Sequence, residues 1–345
     1  MNADKRRWER NRDCFSYLRL SAFICGLILL IFSGCAAQPA TKDESKGPHR
    51  IPVILDTDAG NDNDDNFAIA CLLRNPKFDV QLITTTDGQQ EFRGRIIAKL
   101  LTAAGRNDIP IGFGAGRKAG AGKEASWVAD FPFSKYGGKI YPEGVRAMIN
   151  TIHRFNEPVT VIAIGPLQTV AAALERDPTI APRVNFVGMQ GSVFKGYGGS
   201  EKPTPEFNVK VDVAAAQTVF AAKWMSMSIT PLDTCGLPGI SIDGEQFEAL
   251  RQSNDPLVKA LLDSYAAWSG KPLSELHATT TQFDSVAVYL ADPDHPLLVT
   301  KPLHIDVNDA GMTVVSPEGR QMNVATSWKD LEAYRQYFFA QILGK

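Results

Sequence analysis

From residue 51 onward, short apolar runs alternate with segments in which apolar positions recur every three or four residues. Residues 51–55 read as a buried strand and 67–73 as the helix that follows it. Further strands are predicted at 80–84, 109–111, 159–164, 184–189 and 228–230. Helices are predicted at 92–104, 144–155, 167–175, 212–222 and 283–290, with one or two more over 247–268. Residues 112–143, rich in Gly, Lys and aromatics, read as a loop long enough to be functional. From 297 to 325 the pattern changes to short strands (298–300, 304–307, 312–315) separated by Asn-Asp and Pro-Glu-Gly turns. Ser327 to Asp330 resembles a capping box opening a last helix to Leu343. Repeated strand–helix units predict an α/β domain: a mainly parallel, mixed central sheet with helices on both faces and a short antiparallel C-terminal addition. Neither an internal repeat nor a linker interrupts 51–345, which is therefore read as one domain.

The first 35 residues do not fit that pattern. Lys5, Arg6, Arg7, Arg10, Arg12 and Arg19 give a positive start, residues 20–32 are an apolar run of 13, and Ser33-Gly34-Cys35 follows. So short a run suits a signal peptide better than a membrane span. The small residues before Cys35 resemble a bacterial lipobox, with Phe32 where Leu is commoner. Residues 1–35 are thus expected to be a signal peptide, Cys35 the lipid attachment point and residues 36–50 a flexible tether. The expected location is outside the cytoplasm, on a bacterial membrane, facing periplasm or exterior. Of the other cysteines, Cys14 and Cys25 leave with the leader. Cys71 reads as a buried thiol, and pairing between Cys71 and Cys235 stays open.

Composition narrows the chemistry. The chain is 44% hydrophobic with a formal net charge of -2 and no basic stripe, which argues against nucleic acid as a partner. Five aspartates (Asp56, Asp58, Asp62, Asp64, Asp65) fall within ten residues where the first strand ends and the first helix begins. In open α/β sheets this edge binds ligands. Carboxylates so crowded raise one another's pKa unless a positive charge sits among them, and all-oxygen donors favour Ca²⁺ or Mg²⁺. Helix capping explains one or two of the acids, not five. An EF-hand fails in register, since Gly60 is fifth and Phe67 twelfth from Asp56. The Asp-Thr-Asp strand end is also seen in haloacid dehalogenase-like phosphatases, but the residues after Gly60 fit that class poorly.

The better match is carried by five segments in order. They are Asp56-Thr-Asp58-Ala-Gly60-Asn-Asp62-Asn-Asp64-Asp65, Ala163-Ile164-Gly165-Pro166-Leu167, Met189-Gln-Gly191-Ser192, Pro205-Glu206-Phe207-Asn208-Val-Lys-Val-Asp212, and Gln282-Phe283-Asp284-Ser-Val-Ala287. Together they resemble the inosine-uridine preferring nucleoside hydrolases, calcium-dependent nucleoside N-ribohydrolases, with a two-residue insertion in the first segment. The resemblance implies a Rossmann-like nucleoside hydrolase fold and hydrolysis of the N-glycosidic bond of a ribonucleoside or related N-riboside by a Ca²⁺-activated water. It implies Asp58 as metal ligand and general base, and Asp65, the Ile164 carbonyl and Asp284 as further ligands. Asp64, or Asp62 given the insertion, would bind ribose hydroxyls, and Glu206 and Asn208 would hold the sugar. A homodimer or homotetramer is implied as well.

Three positions depart from the family pattern. Phe283 stands where the inosine-uridine branch carries a His credited with protonating the leaving base. Ser200 stands where an Asn usually contacts ribose, and Thr169 replaces a frequent Asn. The sugar and metal end is intact and the base end altered, which also admits a protein that binds nucleosides with little turnover. Among the histidines, His277 is the one placed to reach the pocket as a proton donor. Tyr265 and Trp268 offer either core packing or a stacking surface, and Tyr197, in the Gly-rich stretch 195–199, either a lid or an exposed turn.

Overall fold

Seven apolar or β-branched-rich residues form β1 (Ile51–Thr57), buried from Pro52 to Thr57. Such a strand, covered on both faces, belongs in the middle of a parallel sheet. The computed structural model describes residues 50–117, 120 and 122–345; the leader, Cys35 and all but the last residue of the expected tether lie outside them. β2 (Phe78–Thr85), β3 (Ile111–Phe113), β4 (Ile140–Tyr141), β5 (Val159–Ala163), β6 (Val184–Gly188), β7 (Ser226–Ile229), β8 (Leu298–Val307), β9 (Thr313–Val315) and β10 (Arg320–Trp328) complete one sheet. Its order is β4-β3-β2-β1-β5-β6-β7-β10-β8-β9. Pairing is parallel from β4 to β7 and on to β10, and antiparallel from β10 to β8 and β8 to β9.

Alternation along β1 divides the core. Val53 and Leu55 pack with the helices Asp64–Arg74, Gln90–Ala103, Pro256–Ser269, Phe283–Ala291 and Leu331–Leu343; Ile54 points to the opposite layer, with Gly144–Arg154, Gln168–Arg176 and Val213–Ala221. The chain runs outward from β1 through β2, β3 and β4, then returns to β5 on the other side. The connections after β1 and β5 therefore leave toward opposite faces, and a crevice opens between their carboxyl ends.

The predicted elements to residue 291 are present with small shifts of boundary, and 247–268 resolves into two helices, Gly244–Arg251 and Pro256–Ser269. The C-terminal part differs more. Residues 298–300 and 304–307 belong to one strand, β8, which continues through Pro302. β9 pairs only with Ile305 to Val307, so one edge of β8 is open at the proline, a place where a sheet tolerates it. β10 was not predicted: its buried Met322, Val324 and Ala325 are interspersed with Arg, Gln, Asn, Thr and Ser. Ser327 lies in β10, and the last helix is capped instead by Asp330, whose side chain accepts from the Ala333 N–H at 2.9 Å. Cys71 and Cys235 are both buried free thiols.

Candidate active site

The carboxyl end of β1 runs into a turn at Ala59-Gly60. Gly60 has φ +99°, and a side chain there would collide with Phe92 and Ile96, so glycine is required. Beneath the turn the buried Arg93 guanidinium donates to the carbonyls of Asp58 and Ala59 and, through Nε, to that of Asp87. A buried cation thus braces the backbone that presents Asp58. Asp64 and Asp65 follow in the first turn of the helix Asp64–Arg74, where the exposed N–H groups favour negative charge.

Asp284, in the first turn of the helix Phe283–Ala291, joins them. Its N–H donates to Asp64 Oδ2 at 3.3 Å. Asp64, Asp65 and Asp284 each place an oxygen within 4.8 Å of the others, and all three are buried. Asp65 also accepts from the Thr57 hydroxyl. Burial, then the neighbouring carboxylates, push all three well above the usual carboxylate range. Three buried oxygen donors with no cationic partner between them among the described residues fit a hard divalent cation.

Asp58 is 4% exposed, and its Oδ2 has no hydrogen-bond partner among the described residues. Burial raises its pKa to about 6, against the lowering effect of Arg93. Its carboxylate lies over Gly165, where a Cβ would come within 2.8 Å of Oδ1. Ile164, just before that glycine, donates its N–H to the Asp56 carbonyl at 2.9 Å and accepts at its own carbonyl from Asn208 Nδ2 at 3.1 Å. Asn208 Nδ2 also reaches the Met189 carbonyl at 3.0 Å. Glu206 caps the short helix Phe207–Val211. Oε1 accepts from the Asn208 N–H at 2.8 Å and Oε2 from the Gly191 N–H at 3.0 Å. Burial carries its pKa to about 7 despite those donors. The Gly191 turn is in turn held from the C-terminal strands: Thr313 Oγ1 accepts from the Ser192 N–H at 2.8 Å and donates to the Ser192 carbonyl at 2.9 Å.

These groups line one cavity of about 320 Å³. Asp58, Asp62, Asp64, Asp65, Ile164, Glu206, Asn208, Phe283 and Asp284, all singled out from sequence, surround it. The tight carboxylate cluster contains Asp64, expected on the sugar, and does not include Asp58, expected as a ligand. His277 is exposed and is not among the lining residues. The wall at the Phe283 end is aromatic: the Tyr197 and Phe283 rings meet edge to face at 6.0 Å, with Phe207 beside them. Trp268 lines the cavity while stacked on Tyr265. Four lining residues were not anticipated: Asn61, Lys123, Met189 and Phe207. Asn61, Met189 and Phe207 lay inside quoted segments; Lys123 lay in the loop read as functional but was not singled out within it.

Comparison with known proteins follows this geometry. The family model for inosine-uridine preferring nucleoside hydrolases matches residues 53–336. A pyrimidine-specific ribonucleoside hydrolase, RihA, of Escherichia coli O1:K1 is 31% identical over 229 residues, 62% of this chain and 71% of the relative. Among solved structures, a plant nucleoside hydrolase superposes with TM-score 0.71 at 21% identity, covering 86% of this chain and 99% of the other. An inosine-uridine preferring nucleoside hydrolase from Bacillus anthracis gives 0.67 at 19% identity, with coverage of 86% and 99%. With the family model matching most of its length, the chain belongs to the inosine-uridine preferring nucleoside hydrolases, enzymes that hydrolyse N-glycosyl bonds.

Proposed function

We propose that the protein hydrolyses ribonucleosides or closely related N-ribosides to ribose and free base, with Asp58 as the base that takes the proton of the attacking water and Ca²⁺ as the resident ion. The observation that carries this reading is the meeting of Asp284 with Asp64 and Asp65, acids 220 positions apart, on the floor of a nucleoside-sized cavity. Asp64, Asp65, Asp284, Asp58 and the Ile164 carbonyl would hold the cation. When bound, such an ion offsets the carboxylates' mutual repulsion and makes a nearby water more acidic. Asp58 suits the base role because its buried Oδ2 has no hydrogen-bond partner among the described residues and the residue lines the same cavity. Glu206 and Asn208, each fixed by main-chain contacts, present rigid polar groups to sugar hydroxyls, and Asp62 adds a carboxylate at the rim. Charge building on the ribose ring as the bond breaks is favoured by this acidic surround.

The test is release of free base from a panel of nucleosides, with Ca²⁺ and with chelator. Asp58→Asn should lower turnover by about 10²–10⁴-fold, the usual worth of a general base, while nucleoside binding persists. Equal turnover by wild type and Asp58→Asn would remove Asp58 from that role. The same reading has the protein exported and tethered by a lipid on Cys35, as a homodimer or homotetramer. Intact mass of the mature protein and its sedimentation check both; an unmodified Cys35 or a monomer would count against them.

A further inference from the structure

Part of the long segment between β3 and the helix Gly144–Arg154 is built into the cavity wall, with no task in the reading above. At Gly122 the main chain comes so close to the acidic turn that a Cβ would drive into the Gly60 carbonyl oxygen. Glu124, two residues on, is fully buried. Its Oε1 accepts from the Ser264 hydroxyl, from Asn66 Nδ2 at 2.7 Å and from Asn63 Nδ2 at 3.1 Å. Asn63 lies between Asp62 and Asp64, so the acidic segment itself supplies part of a socket for this loop. Between these two anchors sits Lys123. Its side chain lines the cavity, with Nζ 4.3 Å from the centre of the Trp268 ring. Trp268 is itself tied to the acidic turn, donating from Nε1 to the Asn61 carbonyl at 3.2 Å.

Lys123 is the only cationic side chain among the described residues that line the cavity; the other charged groups there are all carboxylates. Cleavage of the C1′–N bond sends an electron pair to the base, and carboxylates oppose that charge. Position 283, at the base end, is a phenylalanine, and no histidine is among the described residues that line the cavity. The Tyr197 ring is partly exposed and its hydroxyl accepts from the Phe207 N–H at 3.0 Å; desolvation around that hydroxyl makes it a weaker acid than an ordinary phenol. A cation held by a fixed loop and resting on an aromatic face remains.

We propose that Lys123, positioned by the Glu124 socket, is the leaving-group residue: its ammonium meets the negative charge developing on the departing base and supplies the proton that base needs. The inference rests on the hydrolase reading above. The water oxygen bonds to C1′ as the C1′–N bond breaks, and the bond pair goes to the base nitrogen. Asp58 takes the water proton, Nζ gives a proton to the base, and solvent returns the proton from Asp58 to Nζ. The products are ribose and neutral base.

The experiment compares nucleosides with 4-nitrophenyl β-D-riboside, whose leaving group needs no proton, on the full chain in Ca²⁺. Lys123 is exposed, so Lys123→Met should fold as wild type does, which a matching thermal midpoint checks. The expected result is a loss of about 10²-fold in kcat on nucleosides, the usual scale for a general acid, with 4-nitrophenyl riboside turnover within about threefold of wild type. Lys123→Arg should recover part of the nucleoside rate, because the charge returns. Equal losses on both substrates, or none on either, would overturn the assignment of Lys123. A wild-type protein inert toward both substrates would instead overturn the hydrolase reading itself, and this assignment with it.

Discussion

Glu124 offers a direct test of the electrostatics, because it is buried yet apart from the carboxylate cluster. Burial raises its pKa from 4.5 to about 7, against hydrogen bonds from Ser264, Asn66 and Asn63 that favour the ion. The folded state therefore holds this proton more tightly than the unfolded chain does. Its contribution to stability is complete below pH 4.5 and is lost as pH rises through about 7. At about 1.4 kcal/mol per pH unit, that difference corresponds to roughly 3 kcal/mol. Glu124→Gln imitates the protonated carboxyl. Its carbonyl can accept the same three bonds, and its amide can donate to Asn63 Oδ1 or Asn66 Oδ1, both buried without partners among the described residues. The variant should match wild type near pH 4.5 and exceed it by up to ~3 kcal/mol near pH 8. Urea unfolding of both proteins at several pH values, at one fixed Ca²⁺ concentration, reads the difference directly, since every other titrating group cancels. A stability difference that does not change with pH, or a variant weaker at pH 8 than at pH 4.5, would refute the argument.

Asp284→Ala should abolish thermal stabilisation by Ca²⁺, which in wild type should reach about 2.7 kcal/mol at a hundredfold excess over Kd; calorimetry with and without the ion decides it. Gly122→Ala should lift the loop from the Gly60 carbonyl, costing on the order of 1–3 kcal/mol and lowering base release more than Lys123→Met does, since it displaces anchor and cation together. Thr313→Val removes the hydroxyl that clasps both polar groups of Ser192, and should cost about 1–3 kcal/mol in chemical denaturation and raise KM through the adjoining Gly191–Glu206 contact.

The sheet and most of its helices could be read from periodicity because β1, β5 and β6 are mostly apolar and their helices carry clear stripes. β10 could not, since half its residues are polar and face outward. At the site, residues from all five ordered segments line one cavity. Which of Asp58, Asp62, Asp64 and Asp65 meets Asp284 was not legible, because that depends on the path of the backbone through the turn, which brings Asp64 and Asp65 to it. His277 illustrates the opposite error: nearness in sequence to Asp284 does not carry a side chain to the cavity when an extended stretch turns it to solvent. Lys123 was invisible for a physical reason. Nothing in a glycine-rich run says that one glycine abuts another segment's carbonyl and that the next acid is buried among amides.

The crevice draws its acids from both ends of the folded body, with Asp64 and Asp65 near its start and Asp284 near its close. Until the helix bearing Asp284 docks, the early acids have neither their third member nor the wall that encloses them. A polypeptide cut before residue 284 therefore lacks one of the three clustered carboxylates, however well its parallel strands assemble.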